Sequence, residues 1–229
     1  MSGYDAFAPV YDAWAADMTD DVDFYVDLAR EAEGPVIELA VGTGRISIPI
    51  AQRTGKSVIG IDLSSAMLAL ARQHATEAGV EVELQEGDMR DLDYESASDL
   101  VICPARALLH LPTWSDRRRV FERVSRALRP GGRFAFNAFV FDHRYACEYD
   151  GRWRDEPTHH FTEYVPTDNR VDITLDDGPK LSLWWVTRSE WEGLLDVAGL
   201  EIDALYGWFD KCPFDEASRE FVWVARKPS

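Results

Sequence analysis

The sequence predicts an α/β protein: a mostly parallel seven-stranded sheet flanked by helices, with an inserted antiparallel β cap. Two observations carry that prediction. The first is the stretch 36–62. Val36 to Ala40 form a short apolar run after Pro35, the run breaks at Gly42-Thr43-Gly44, and a second run from Ser57 to Ile61 stops at Asp62. Between them Ile46, Ile48, Ile50 and Ala51 keep a spacing that permits a helix despite Pro49. Strand, glycine turn, helix, strand, acid is the opening of a nucleotide-binding βαβ unit. The second is the change of character at 142–186. There Tyr, Trp, Thr and Val fall in short runs between turn signals at Asp150-Gly151, Asp168-Asn169 and Asp177-Gly178-Pro179.

The remaining elements follow in order. Tyr4, Phe7, Tyr11 and Trp14 recur at helical steps, with Pro9 arguing for a bend, and Val22, Tyr25, Val26 and Ala29 make a second apolar face. Ser64 can cap a helix reaching Ala78, Val80 to Leu84 alternate as a third strand, and Leu100 to Cys103 read as a fourth. Asp116 to Leu128 have helical spacing ended by Pro130-Gly131-Gly132, and Arg133 to Val140 read as a fifth strand. A helix over Thr187 to Ala198, ended by Gly199, precedes strands at Leu200 to Tyr206 and Phe221 to Ala225. We divide one domain into N-terminal lid helices (1–34), a cofactor-binding core (35–141), an antiparallel cap (142–186) and a C-terminal completion of the sheet (187–229).

Composition narrows the partners. The 229 residues carry 24 basic against 41 acidic side chains, a formal net charge of −17, so a nucleic-acid partner is not expected. Cys103, Cys147 and Cys212 are scattered and odd in number, which argues for reduced thiols and against zinc. No basic stretch followed by an apolar core opens the chain, and no apolar run is long enough to span a membrane. A cytoplasmic protein without a membrane partner is expected.

The chemistry lies around the glycine turn. Glycines let the backbone approach a ligand closely, and an acid ending the second strand can accept from two ribose hydroxyls. The dinucleotide fingerprint wants a third glycine three positions after the second, and Ser47 stands there. Glu38 lies beside the turn, awkward for a pyrophosphate and useful for a cationic, phosphate-free ligand.

With Glu38, Gly42, Gly44 and Asp62 in place, the stretch resembles the first two motifs of class I S-adenosylmethionine-dependent methyltransferases, with Ala40 where that family usually has glycine. Glu86-Gly87-Asp88-Met89-Arg90 resembles the family's adenine-binding turn, Asp99 to Ala105 its fourth strand and following loop, and Leu128 to Phe136 its entry to the fifth strand. The resemblance covers roughly residues 35–140 and implies S-adenosylmethionine as cofactor, without a metal. It would set Asp62 against the ribose. Leu63, Met67, Asp88 and the Met89 backbone would lie around the adenine, with carbonyls near Ala40 and Cys103 at the methionine amino group. Glu38 would act through water or by bracing the turn of Gly42, Thr43 and Gly44, and Tyr11 or Arg45 would take the methionine carboxylate.

The resemblance also orients the acceptor side. The run Arg106-Ala-Leu-Leu-His110-Leu is similar to a Ser-Val-Gly-His-Leu run of deoxysugar N-methyltransferases, where the matching histidine is thought to take the amine proton. His110 is therefore the catalytic candidate, its ordinary pKa of about 6.5 letting it hold or release a proton near neutrality. Tyr4 is expected in a lid with Tyr11. Arg106, Asn137 and one of Trp184 and Trp185 are the acceptor-side candidates, with Trp184 chosen and the other tryptophan in the core or a homodimer contact. The expected function is methyl transfer to oxygen or nitrogen of a small metabolite. A non-catalytic cofactor-binding partner subunit and an NAD(P)-dependent reductase are the alternatives.

Overall fold

The computed structural model describes residues 3–155, 159–175, 178 and 180–229. A 3-10 turn at Gly3–Asp5 leads into helices α1 (Ala8–Trp14) and α2 (Val22–Glu31). The core then alternates: β1 (Val36–Leu39), α3 (Ser47–Thr54), β2 (Val58–Asp62), α4 (Ser65–Ala78), β3 (Glu83–Glu86), β4 (Ser98–Cys103), α5 (Trp114–Ala127) and β5 (Leu128–Phe139). Helix α6 (His143–Tyr149) and strands β6 (Arg152–Arg154), β7 (His160–Val165), β8 (Arg170–Leu175) and β9 (Lys180–Trp184) follow. Helix α7 (Arg188–Val197), β10 (Glu201–Tyr206) and β11 (Glu220–Arg226) close the chain.

The seven-stranded sheet runs β3-β2-β1-β4-β5-β11-β10, with β11 antiparallel between β5 and β10 and the rest parallel. The order reverses at β1, which pairs β2 on one side and β4 on the other, so a crevice opens above their carboxyl ends. Strands β6 to β9 form a separate antiparallel sheet. One face of the large sheet is covered by α2 and α3 through Phe24, Tyr25 and Ile50. The other is covered by α5 and α7, where Phe121 stacks on Trp191 at 6.0 Å above Phe134, Phe136 and Trp223.

Local chemistry sets the boundaries. The Ser64 hydroxyl accepts the Met67 N–H at 3.1 Å and starts α4, which ends at Gly79 in the left-handed region (φ 68°). Thr187 and Glu190 form a capping box at the head of α7. Pro9 lies in the first turn of α1, where its missing N–H costs nothing, so it helps to start the helix; the bend falls before it, between the 3-10 turn and Ala8.

Three expectations are corrected. The third strand begins at Glu83, because Val80 is still tied to α4 through its N–H on the Ala75 carbonyl. Pro130-Gly131-Gly132 does not end the fifth helix. Leu128 is already extended, β5 takes in all three residues, and the register against β4 shifts between Ser98 and Leu100 to admit them. The cap is more than hairpins, since α6 precedes its strands. The Asp150-Gly151 and Asp168-Asn169 turns are present, with Gly151 and Asn169 at φ 69° and 51°; Asp177 and Pro179 of the expected third turn lie outside the described residues.

Gly60, in the middle of β2, is closely approached: an added Cβ would sit 2.7 Å from Val41 Cγ2 and 3.0 Å from Leu84 Cδ2. Val41 is β-branched and stiff. Gly60→Ala should destabilise the protein by about 1–3 kcal/mol through overpacking, read as a lower urea midpoint at unchanged slope. An unchanged midpoint would mean that Val41 yields freely.

Candidate functional site

The crevice is organised by Asp62 at the end of β2. One carboxylate oxygen accepts the Gly42 N–H at 2.8 Å and the other accepts the Ser64 N–H at 2.8 Å. Burial raises this carboxyl, while those N–H groups pull it back. Each oxygen keeps a further lone pair, so the acid ties the turn and can still accept hydroxyls. Gly42 and Gly44 take φ of 55° and 85°, as the turn requires. Ala40 sits at φ 55° as well, a conformation that costs an L-residue roughly 1–2 kcal/mol. The departure from glycine there is carried as backbone strain next to the site.

Behind the turn, Glu38 is only 2% exposed and accepts the Ser47 hydroxyl. Burial pushes its carboxyl up to about 8, against the lowering effect of that hydrogen bond. The position where a dinucleotide fingerprint would place glycine thus supplies the group that braces Glu38. The Tyr11 ring lies 3.9 Å from where a Gly42 Cβ would stand, covering the turn from the lid side. A cleft of about 370 Å³ beside the turn is lined by Asp12, Thr43, Gly44, Arg45 and His74. His74 Nδ1 bonds the Thr43 carbonyl at 3.0 Å.

Arg45 is not an open anion receptor. Its guanidinium forks onto Asp21 at 2.5 and 2.7 Å, and Nη1 also donates to the Met18 carbonyl at 2.6 Å. Asp21 was not legible as its partner, being one acid in an acidic stretch with no periodic signal. On the adenine side, Leu63 is 52% exposed, whereas Met67 is buried under Phe7 and Leu181. Gly87 N–H reaches the Asp62 carbonyl at 2.9 Å. Asp88 accepts the Arg90 N–H at 2.8 Å and pairs with its guanidinium at 2.6 Å. Burial works against this carboxylate, but the Arg90 bonds outweigh it and hold it below the usual range. The Asp88 side chain is therefore engaged by Arg90. Cys103 is buried at the end of β4, its thiol pushed up by burial.

The N-terminal segment packs against this crevice. Ser64 donates its hydroxyl to Asp5 at 2.6 Å, and Phe7 packs edge-on between Tyr4, Tyr11 and Trp14. Tyr4 reaches His110, in the 3-10 turn Ala107–His110 after β4. His110 Nδ1 is 3.1 Å from the Ser182 carbonyl of the cap, so Nδ1 carries the proton. Nε2 is then the acceptor and takes the Tyr4 hydroxyl at 2.5 Å. Burial lowers His110 to about 4, with the Ser182 bond opposing. This corrects the expectation of a base poised near neutrality: in this arrangement the imidazole is a neutral hydrogen-bond acceptor.

The other acceptor-side candidates are placed differently from expectation. Arg106 follows Ala105, both at positive φ (60° and 55°), and its guanidinium is bound bidentately to Glu220, with Nη2 at 2.7 Å. Asn137 is buried and spends its amide on the same network, accepting from Tyr25 at 3.1 Å and donating to Glu220 at 2.6 Å. It braces the sheet edge, with its oxygen and one of its two N–H donors engaged in that network. Trp184 lies on the cap face that carries Arg170 and Asp172, with the Arg170 guanidinium 5.9 Å from its ring centre. Leu181 and Leu183 alternate to the opposite face and pack on the body, so Trp184 points away from the crevice. Trp185 is the buried one, stacked on Phe141 at 4.1 Å. Among the described residues no group of His, Cys, Asp and Glu is arranged to hold a metal ion. Among them, too, no helix is long and apolar enough to cross a membrane.

Residues 36–132 match the model of a methyltransferase domain. The chain is 34% identical over 136 residues to the putative methyltransferase YqeM of Bacillus subtilis, a match covering 58% of this chain and 54% of that protein. It spans about half the length of the curated relatives it matches first. The whole fold is similar to the CcbJ methyltransferase of Streptomyces caelestis, with a TM-score of 0.80 at 24% identity over 100% of this chain and 99% of that one. It is also similar to an amino pentose methyltransferase of calicheamicin biosynthesis from Micromonospora echinaspora, with a TM-score of 0.64 at 25% identity, over 99% of this chain and 92% of that one.

The two hydrogen bonds of His110 set its tautomer, and burial favours the neutral ring. Side-chain ¹⁵N shifts should report a protonated Nδ1 and a bare Nε2 from pH 9 down to about 5, with titration near 4. Because the folded value lies below the unfolded one of about 6.5, its contribution to stability is complete above that value and declines as pH falls toward 4. A titration near 6.5 in the folded protein would show the ring to be open to water.

Proposed function

Since the chain belongs to the class I S-adenosylmethionine-dependent methyltransferase superfamily, we propose that it transfers a methyl group from that cofactor to an oxygen or nitrogen of a small-molecule acceptor. The observation that carries the cofactor reading is the charge around the glycine turn. A buried carboxyl, that of Glu38, and the half-buried carboxylate of Asp62 flank it, and the guanidinium of Arg45 is already neutralised by Asp21. A pyrophosphate has no cation to meet it there, whereas a cationic, phosphate-free nucleoside suits the site.

On this reading Asp62 takes the ribose hydroxyls, and the Leu63 and Gly87–Met89 segments border the base. The carbonyls near Ala40 and Cys103 face the ammonium. When bound, the cofactor supplies an electrophilic methyl on sulfur and a neutral thioether as leaving group, so no residue is needed to protonate a leaving atom. What remains for the protein is alignment and exclusion of water, worth roughly 7–11 kcal/mol in favourable cases. The lid residues Tyr4, Phe7 and Tyr11 supply the exclusion. His110 Nε2 is the group to receive the acceptor's N–H or O–H, displacing the Tyr4 hydroxyl and orienting the lone pair of the attacking atom.

Two experiments test this. Calorimetry should show S-adenosylhomocysteine binding without comparable NADH binding, and Asp62→Ala should weaken it at least tenfold. That loss corresponds to hydrogen bonds to a charged group, about 1.5–3 kcal/mol. Tight NADH binding with no response to the thioether would sink the reading.

For His110, the Ala variant should retain cofactor affinity and lose about fivefold in turnover against an amine and phenol panel, the worth of one hydrogen bond of about 1 kcal/mol. His110→Gln, which keeps an acceptor oxygen, should recover most of it. Losses of roughly 10²–10⁴ in both variants would instead make the imidazole a true base.

A further inference from the structure

Glu38 is buried without a cation of its own. It is hydrogen-bonded by Ser47, on the first turn of α3, through the neutral hydroxyl and the backbone N–H. The charged and titratable groups around it come from every neighbouring element: Arg45 after the turn, Asp21 before α2, Tyr11 of the lid and Cys103 of β4. Arg45 is committed to Asp21 by a two-pronged bond, so the pair presents little net charge to Glu38. Tyr11 and Cys103 are themselves held neutral by burial. An ionised carboxylate here lacks compensation, and a buried group in that position takes up a proton.

We propose that Glu38 is neutral in the free protein and gives up its proton as a cationic nucleoside enters, so that cofactor binding is coupled to release of about one proton. The inference rests on the methyltransferase reading for the identity of the ligand. Its physical content is a charge filter. A ligand carrying an ammonium, or an ammonium and a sulfonium, stabilises the carboxylate form, and the two charges are compensated together in the buried site. A phosphate-bearing nucleotide gains nothing from ionisation and meets an acid that repels it when ionised.

The sign follows from linkage. With the free carboxyl near 8, ligand binds the deprotonated form, so affinity rises with pH up to about 8 and then flattens. Below that point the change approaches tenfold per pH unit.

The test is calorimetry of S-adenosylmethionine and S-adenosylhomocysteine at pH 7 in two buffers of different ionisation enthalpy. The intact protein should release close to one proton more per ligand bound than Glu38→Gln, whose release is the baseline set by the ligand's own amine. Affinity for S-adenosylhomocysteine should increase between pH 6 and 8 in the intact protein and stay nearly level in Glu38→Gln. If that variant fails to fold, Ser47→Ala provides the same test, because losing the hydroxyl raises the carboxyl and moves the pH dependence upward. Binding with equal proton counts in intact protein and Glu38→Gln, or a pH dependence unmoved by Ser47→Ala, overturns the proposal and leaves the methyltransferase reading standing. Absence of binding heat from either ligand removes both.

Discussion

The Asp62 carboxylate is the bond on which the site depends. One side chain at the end of β2 holds the glycine turn through Gly42 and the head of α4 through Ser64. Ser64 in turn caps α4 at Met67 and donates to Asp5 in the lid. Turn, helix and lid are thus joined through two adjacent polar residues. Bonds to a charged acceptor are worth about 1.5–3 kcal/mol each, enough to order a turn that combines two glycines with a strained Ala40. A neutral residue at position 62 would loosen the N-terminal segment as well as the glycine turn, because both hang on the same local geometry.

Around that centre, positive charge is consumed locally. Arg45 is spent on Asp21, Arg90 on Asp88 and Asp116, and Arg106 on Glu220. With a formal net charge of −17, the chain has few cations to spare for a ligand. The Arg106 pair belongs to a buried network, with Glu220 1% exposed and bonded to Asn137, which receives Tyr25 from α2. Its function is to hold the post-β4 turn, the ends of β5 and β11 and the second helix in one arrangement. The two left-handed residues Ala105 and Arg106 are strained, and a well-satisfied polar network is what can hold such strain.

The core was legible because its signals are local. Apolar runs of strand length, the turn glycines, the Ser64 cap and the Asp62 terminus are each decided within a few residues. Boundaries failed where a neighbour overruled local chemistry. Pro130-Gly131-Gly132 reads as a helix stop, yet Leu128 and Arg133 on either side of it pair with β4, and Gly131 and Gly132 bond the backbone of Lys227, which draws it into β5. Side-chain partners were not legible for the same reason. Arg45, Asp88, Arg106 and Asn137 are polar residues near a ligand crevice, and their partners Asp21, Glu220 and Tyr25 lie 24 to 114 positions away, while Arg90 is a near neighbour that local reading passed over. Trp184 and Trp185 alternate correctly, but which one faces inward depends on the register of β8 against β9.

His110 shows how the lid sets chemistry at a distance. The imidazole sits where three segments meet: its own turn after β4, the Ser182 carbonyl of the cap, and Tyr4 of the lid. Its low basicity comes first from burial, and the lid residue Tyr4 supplies one wall of that burial through an edge-on ring contact at 5.1 Å. Withdrawal of Tyr4 admits water to Nε2 and returns the ring toward its ordinary value of about 6.5. On the proposed reading, the same side chain would be a proton acceptor once Tyr4 withdraws, and it is a neutral hydrogen-bonding group while Tyr4 covers it. A neutral amine needs only orientation, and a hydroxyl acceptor needs its proton removed before or during closure. On the proposed reading, the bond between Tyr4 and His110 thus bears on both the access of the acceptor and the protonation state of the imidazole.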